Sequence, residues 1–288
     1  MNKPYERKYI MNNELRNKDG LTEKEFLEQY RPGDYERPSV TVDILLFTVD
    51  PGLNNLKILL IKRGNHPYMN CWALPGGFVD MKESAFTAAN RELKEETGLE
   101  GIYLEQLYTY SQPNRDPRMR VIDIAYIALI PMTEAVAGDD AADAAWFDVL
   151  MDNDKLILTN KEKDVTIEYV LKNKTFESGL ITYENVVPEL HSNEKLSFDH
   201  NLIILDGIMR LRNKAEYTDV VFNLMGEKFT MPDLQKVYEI VLGHHLYKKN
   251  FRDKIKDKVI ETGEEGKSIR GNKISALYTF KKIVRENL

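Results

Sequence analysis

The stretch Gly77–Leu99, GFVDMKESAFTAANRELKEETGL, constrains this chain more than any other. Glu92 and Glu96 are four residues apart and Glu92 and Glu95 three apart, so on a helix all three carboxylates share one face. Like charges placed this way repel, and the cluster needs either neighbouring cations or a divalent metal. All-oxygen ligation suits Mg²⁺ or Mn²⁺ better than Zn²⁺. The helix itself is well signalled: Ser84 stands as N-cap, Ala85, Ala88 and Ala89 favour helix, and Gly98 stops it. Phe86, Ala89, Leu93 and Leu99 supply the expected buried stripe. Arg91 is placed to pair with Glu83 or Glu95 and so orient the carboxylates. Upstream, Trp72–Gly77 (WALPGG) reads as a strand entering a glycine turn, where a carbonyl of Gly76 or Gly77 can face a cation.

A solvated, Glu-rich helix is the plainer explanation of such a charge run. The order of residues argues against it. Glycine, five residues, Glu, seven residues, then Arg-Glu-Leu-x-Glu-Glu-x-Gly-Leu resembles the Nudix box of the Nudix hydrolase family at every defining position. The resemblance implies a mixed β-sheet between helices, with the box helix packed on the sheet. It also implies Mg²⁺ (or Mn²⁺) held by Glu92, Glu95, Glu96 and a Gly77 carbonyl, with Arg91 and Glu83 orienting these ligands.

Around the box, 40–49 (VTVDILLFTV), 56–62, 102–110 and 120–131 read as strands, and their mixed spacing argues an α+β sandwich rather than a doubly wound parallel sheet. Between the last two lies Ser111–Arg120, SQPNRDPRMR. Arg115, Asp116 and Arg118 there are candidates for phosphate and sugar oxygens, because guanidinium forks match phosphate geometry; a salt-bridged surface loop is the alternative. The run YSQPNRDPRMRVIDIAYIAL resembles ADP-ribose pyrophosphatases and Nudix-related transcriptional regulators of NAD metabolism. In those proteins it belongs to the substrate or effector pocket.

The segment 141–147 ends the first Nudix segment, and 197–214 reads as a closing amphipathic helix capped near Asp199, with Ile203, Ile204, Ile208 and Leu211 as its stripe. The expected boundaries are a polar arm over 1–37, the Nudix domain over 38–148 and 197–216, a β-rich insertion over 149–196, and a C-terminal module over 217–288. The insertion departs from the family pattern; cover for the pocket and an oligomer contact are its two candidate roles. The arm carries Phe26, Leu27 and Tyr30 as docking candidates, either as a loose tail or as an ordered dimer arm. After Tyr217 come short helices, 219–224, 231–242 between Thr230 and Gly243, and 247–259, then a hairpin over 260–280. That order is the order of a winged helix. From Leu246 to Leu288 there are twelve Lys or Arg against six Asp or Glu, a local excess of positive charge in a chain whose net charge is −6. Lys248, Lys249, Arg252, Lys254, Lys256 and Lys258 fall on the expected recognition helix, and Lys267, Arg270 and Lys273 on the wing. Such residues neutralise DNA phosphates; a basic solvated face on a packing module is the alternative. FTMPDLQKVYEIVLGHHLYKKNFRDKI resembles the C-terminal domain of the same regulators.

The single cysteine, Cys71, excludes an internal disulfide and a multi-cysteine zinc site, and beside Trp72 it reads as a small core residue. The polar start without an apolar segment, and the lack of any long apolar run, lead us to expect no signal peptide, no membrane span and a cytoplasmic protein. Two functions follow, the first favoured because Glu92, Glu95 and Glu96 leave the box intact. One is Mg²⁺-dependent hydrolysis of a nucleoside diphosphate linked to another group, ADP-ribose to AMP and ribose 5-phosphate above all. The other is a DNA-binding transcriptional regulator whose Nudix domain senses such a compound. The general base is open among Glu92, Asp139, Asp140, Asp143 and, beside Asp199, His200, for which a structural role at the helix start competes. His66, His191, His244 and His245 have no metal-ligand spacing. A homodimer is expected, since paired operator half-sites need two winged helices.

Overall fold

Alternation along the first long strand sets the architecture. In the computed structural model, which describes residues 15–31, 33, 36–131, 144–152, 154–271 and 274–281, residues 1–37 form one unit and 38–288 a second. In the first unit, α1 (Glu23–Gln29) is held at its start by a reciprocal capping box between Thr22 and Glu25, and none of its residues is buried.

In the second unit, β1 (Ser39–Val49) sends Val42, Ile44 and Leu46 to one face and Leu45, Phe47 and Val49 to the other. The sheet grows on both sides of it. The chain continues through β2 (Leu56–Lys62), the short β3 (Trp72–Ala73) and β4 (Gly76–Phe78), α2 (Ala85–Thr97), β5 (Tyr103–Tyr110), β6 (Val121–Leu129) and β7 (Ala144–Met151). Then come β8 (Lys155–Asn160), β9 (Val165–Ser178), β10 (Ile181–Leu190) and α3 (His200–Tyr217). The order is β10-β9-β8-β7-β2-β1-β6-β5, with β3 on β2 and β4 on β1. Only the β1–β6 pairing is parallel among the described strands. α2 covers one face through Ala88, Ala89 and Leu93, and α3 the other through Ile203, Ile204, Ile208 and Leu211. This is the mixed sheet between helices that the resemblance implies.

The segment 149–196 is β-rich, as expected. Its strands extend the main sheet, because Leu156, Leu158, Ile167, Tyr169 and Leu171 continue the core under α3. Tyr169 ties this extension to the head of α3 by accepting the Leu196 N–H at 3.1 Å.

After α3, two residues lead to a 3-10 turn (Val220–Leu224), then β11 (Phe229–Thr230), α4 (Met231–Leu242), α5 (Lys248–Ile255) and the hairpin β12 (Val259–Lys267) and β13 (Ile274–Phe280). α4 begins at Thr230, whose hydroxyl accepts the Asp233 N–H, and ends at Gly243 in the left-handed region. This is the expected winged-helix order. α5 is shorter than the expected 247–259, because Phe251 and Ile255 are its last buried anchors and Val259 already pairs with Phe280 in the hairpin. Two further expectations fail. Phe86 shares the angular position of Leu93 but lies two turns nearer the helix start, where its ring meets Tyr126 at 6.3 Å and stays 54% exposed. Cys71 is half-buried rather than in the core.

Candidate functional site

The site forms where the glycine turn, α2, the 111–120 loop and the head of α3 meet beside β1. β4 pairs with β1 in the register Thr41↔Phe78, Val42↔Gly77, Asp43↔Gly76. Gly76 has φ 152°, and a Cβ there would lie 2.1 Å from the Val42 carbonyl oxygen. At Gly77 a Cβ would come within 2.3 Å of Glu92 Oε1. The two glycines therefore let backbone approach both β1 and the box carboxylates.

α2 has the expected ends: Ser84 Oγ accepts the Thr87 N–H at 3.1 Å and Gly98 closes it with φ 70°. Arg91 reaches Glu83 at 2.8 Å, Glu92 at 2.7 Å and Glu95 at 3.3 Å, and donates to the Phe78 carbonyl at 3.2 Å. It thus joins all three carboxylates rather than one. Glu96 stands apart. One of its oxygens accepts the Gly76 N–H at 3.4 Å, while Oε2 is buried without a hydrogen-bond partner. Burial, then the charges of Glu92, Asp43 and Glu95, push its carboxyl up to about 8. No three His, Cys, Asp or Glu side chains among the described residues converge at metal-ligand distances. An orphaned buried carboxylate oxygen beside further carboxylates is nevertheless a donor set that suits a hard divalent cation.

Next to this turn is a cavity of about 200 Å³ lined by Asp43, Arg63, Gly76, Gly77, Phe78, Arg115, Asp116, Arg118, Phe198 and His200, among others. That volume admits a diphosphate-sized group. Arg115, Asp116 and Arg118, expected to bind phosphate and sugar oxygens, line it together with Gly76 and Gly77, the turn glycines expected to lie against substrate, but in different states. Arg118 is gripped by Asp116 through both carboxylate oxygens, at 3.1 and 2.7 Å, and lies between the rings of Phe78 and Phe198 at 5.7 and 5.9 Å. Asp116 is buried; burial raises its carboxyl, and the Arg118 hydrogen bonds outweigh that and hold it below the usual range. Asp116 thus serves Arg118 rather than presenting a free acceptor.

Arg115 is not an open guanidinium. Its side chain is 4% exposed and donates to both Asp199 oxygens, at 3.0 and 2.7 Å, with Asp43 at 3.5 Å and Asp123 at 3.9 Å. Burial pushes Asp43 up, but His200 and Arg115 outweigh it and hold Asp43 below the usual carboxylate range. Asp123 is fully buried, and burial with the Asp43 charge beside it pushes its carboxyl well above its ordinary value. It accepts from Thr41 Oγ1 at 2.9 Å.

His200 is buried and accepts the Leu74 N–H on Nδ1 at 2.9 Å, leaving Nε2 as the donor facing Asp43 Oδ2 at 3.4 Å. It thus ties α3 to the strand entering the glycine turn. Asp43, Asp123, Arg63, Phe78 and Phe198 escaped the sequence reading; the first two sit inside strand patterns that read as core. Asp139, Asp140 and Asp143, the remaining base candidates, lie outside the described residues. Among the described residues, none of those lining the cavity comes from 149–196.

The basic residues of the C-terminal module divide. Lys248, Arg252 and Lys256 are exposed and together line a groove of about 570 Å³ between α4 and the hairpin; Lys249 and Lys267 are also exposed. Lys256 caps the end of α5 rather than lying within it. Lys254 is also exposed, but its ammonium is engaged, donating to the Ala215 carbonyl at 3.4 Å and lying 5.8 Å from the Tyr238 ring. Arg270 donates to the Leu53 carbonyl at 3.3 Å, and Lys258 pairs with Asp219. Lys273 lies outside the described residues.

The sequence profile of the NUDIX domain matches residues 38–164, and that of the NrtR DNA-binding winged helix domain matches 221–280. The chain is 35% identical over 262 residues to the ADPR responsive transcriptional repressor NtrR of Acinetobacter baylyi, covering 90% of this chain and 88% of that one. Over 129 residues it is 44% identical to an ADP-ribose pyrophosphatase of Methanocaldococcus jannaschii, covering 45% of this chain and 72% of that protein. Among solved structures, Shewanella oneidensis NrtR complexed with a 27mer DNA superposes with a TM-score of 0.63 at 30% identity, covering 84% of this chain and 93% of that one.

Proposed function

Because the chain belongs to the Nudix proteins that carry an NrtR-type DNA-binding winged-helix domain, we propose that it is a DNA-binding regulator whose Nudix domain takes ADP-ribose, or a compound of the same nucleoside diphosphate chemistry, as effector. The observation that carries this reading is the continuity of the core. α3 lines the cavity with His200 and buries Leu211 and Ala215 in the same cluster as Tyr238, Phe251 and Ile255 of the winged helix. A wall of the effector cavity is therefore also the floor of the DNA-binding module. Lys248, Lys249, Arg252, Lys256 and Lys267 contact phosphates, with Lys254 and Arg270 holding the module in place. Two copies address the duplex. The test is equilibrium binding of ADP-ribose to the full chain: saturable binding supports the reading, and its absence contradicts it.

Hydrolysis of the bound compound is the second reading, favoured by the buried Glu96 oxygen that lacks a partner. Sequence reasoning puts hydrolysis first. The order reverses because the relative matched over 90% of the chain is named a repressor, and because Asp199 closes the Arg115 fork. In the hydrolytic reading Glu92, Glu95, Glu96 and the Gly77 carbonyl hold Mg²⁺ or Mn²⁺. When bound, the metal neutralises diphosphate charge and lowers the pKa of a water. Arg91 and Glu83 keep the box carboxylates oriented, Arg118 holds a phosphate, and the glycine turn lets the diphosphate approach the backbone. AMP release from ADP-ribose that requires Mg²⁺ and is lost in Glu96→Gln supports turnover; binding without AMP release leaves the domain a sensor.

A further inference from the structure

The head of α3 holds an unusual arrangement. Asp199 occupies the N-cap position but makes no side-chain hydrogen bond to its own helix. It gives both carboxylate oxygens to Arg115 instead. A capping Asp normally satisfies a free N–H of the first turn. Here the carboxylate instead closes the Arg115 guanidinium fork in the cavity. Just before it, Phe198 adopts φ 50°, a conformation disfavoured for a bulky side chain, and places its ring on the cavity wall.

The far end of the same helix grips the winged helix. Lys254 of α5 donates to the Ala215 carbonyl and lies 3.8 Å from Glu216, and Lys258, just after α5, pairs with Asp219. At about 1.5 Å per residue, the 18 residues of α3 span roughly 27 Å between these two sets of contacts.

We propose that Asp199 is a built-in competitor for the anionic ligand of Arg115, and that α3 carries its displacement to α5. This rests on the reading of the cavity as an effector site. Two oxygens of one phosphate group offer Arg115 the same bidentate geometry as a carboxylate. The ligand discriminates between an Arg115-closed and an Arg115-open state, which is what any coupling between two sites requires. Because α3 packs into both cores, a shift at its head moves the contacts at its foot.

The test uses the full chain in EDTA, with ADP-ribose titrated calorimetrically into the wild type, Asp199→Asn and Asp199→Glu. Asp199→Asn, which keeps shape and loses charge, is expected to lower the dissociation constant at least tenfold, while Asp199→Glu stays near wild type. Unchanged or weaker binding in a folded Asp199→Asn, with wild-type binding intact, overturns the competition and leaves the effector reading standing. No binding by the wild type overturns both. Transmission is read by hydrogen exchange of Lys248–Ile255 with and without ADP-ribose: a changed rate in the wild type, reduced in Asp219→Asn, is expected. An α5 indifferent to ligand overturns it.

Discussion

Replacing Glu96 by Gln is expected to stabilise the metal-free protein at alkaline pH. Burial, followed by the charges of Glu92, Asp43 and Glu95, raises the carboxyl from 4.5 to about 8. Its folded value lies above its unfolded one. Between about pH 4.5 and 8 the native state therefore keeps a proton that the unfolded chain has released, and stability falls as pH rises through that window. At about 1.36 kcal/mol per decade, the separation corresponds to about 5 kcal/mol, an upper bound because water and salt reach the exposed Glu95 beside it. Glutamine keeps the shape and the contact with the Gly76 N–H without the charge. In EDTA, the wild-type melting temperature is expected to drop by several degrees more than that of Glu96→Gln between pH 5.5 and 8.5. Saturating Mg²⁺ at pH 8.5 should recover the wild type and barely move the variant. Parallel pH curves in EDTA refute the burial argument, and equal Mg²⁺ shifts refute the metal assignment.

Three other outcomes follow from the geometry. Gly77→Ala puts a Cβ 2.3 Å from Glu92 Oε1 and is expected to cost about 1–3 kcal/mol in urea unfolding, while raising the Mg²⁺ concentration needed for thermal stabilisation; a neutral effect on both contradicts the close approach. Burial pushes the Asp123 carboxyl up, and Asp123→Asn is a neutral isostere that can keep the Thr41 bond, so its melting temperature should stay within about 3 °C of wild type, a shift worth on the order of 1 kcal/mol at this chain length. A much larger loss would mean that Asp123 is charged. Arg252→Met should reduce the salt dependence of DNA binding by about one ion, whereas Lys254→Met, whose ammonium faces Ala215 and Tyr238, should leave that slope unchanged and lower stability instead.

The parts of the molecule legible in the sequence are those fixed by local rules. Ser84 and Gly98 bound the box helix, Thr230 and Gly243 bound α4, and the alternating strands around Val40–Val49 and Leu56–Lys62 appear nearly where their patterns end. The box carboxylates are legible for the same reason, since helical spacing gathers them. Legibility ends where partners are distant in the chain. Nothing near Arg115 announces that Asp199, 84 residues away, closes its fork, nor that His200 accepts from Leu74 across 126 residues. Asp43 and Asp123 are hidden by their apolar neighbours in β1 and β6, which read as pure core. The stretch 149–196 is legible only in part for a related reason: strand patterns reveal that a segment is extended, whereas pairing with β7, which carries it into the main sheet, is set by long-range register. Likewise the charges of α5 mark a basic helix, but only the packing against Ala215 and Tyr238 separates Lys254 from Arg252. No helix among the described residues is long and apolar enough to cross a membrane.

The most direct test of the central claim is fluorescence anisotropy of the full chain on a labelled duplex from upstream of its own gene, with ADP-ribose titrated in and AMP followed in the same samples. Retention of the duplex at low salt, followed by its saturable release on ADP-ribose addition in EDTA, is the predicted result. A chain that ignores the duplex, or holds it unchanged at saturating ADP-ribose, contradicts the regulator, and Mg²⁺-dependent AMP release in that case would return the account to the hydrolase.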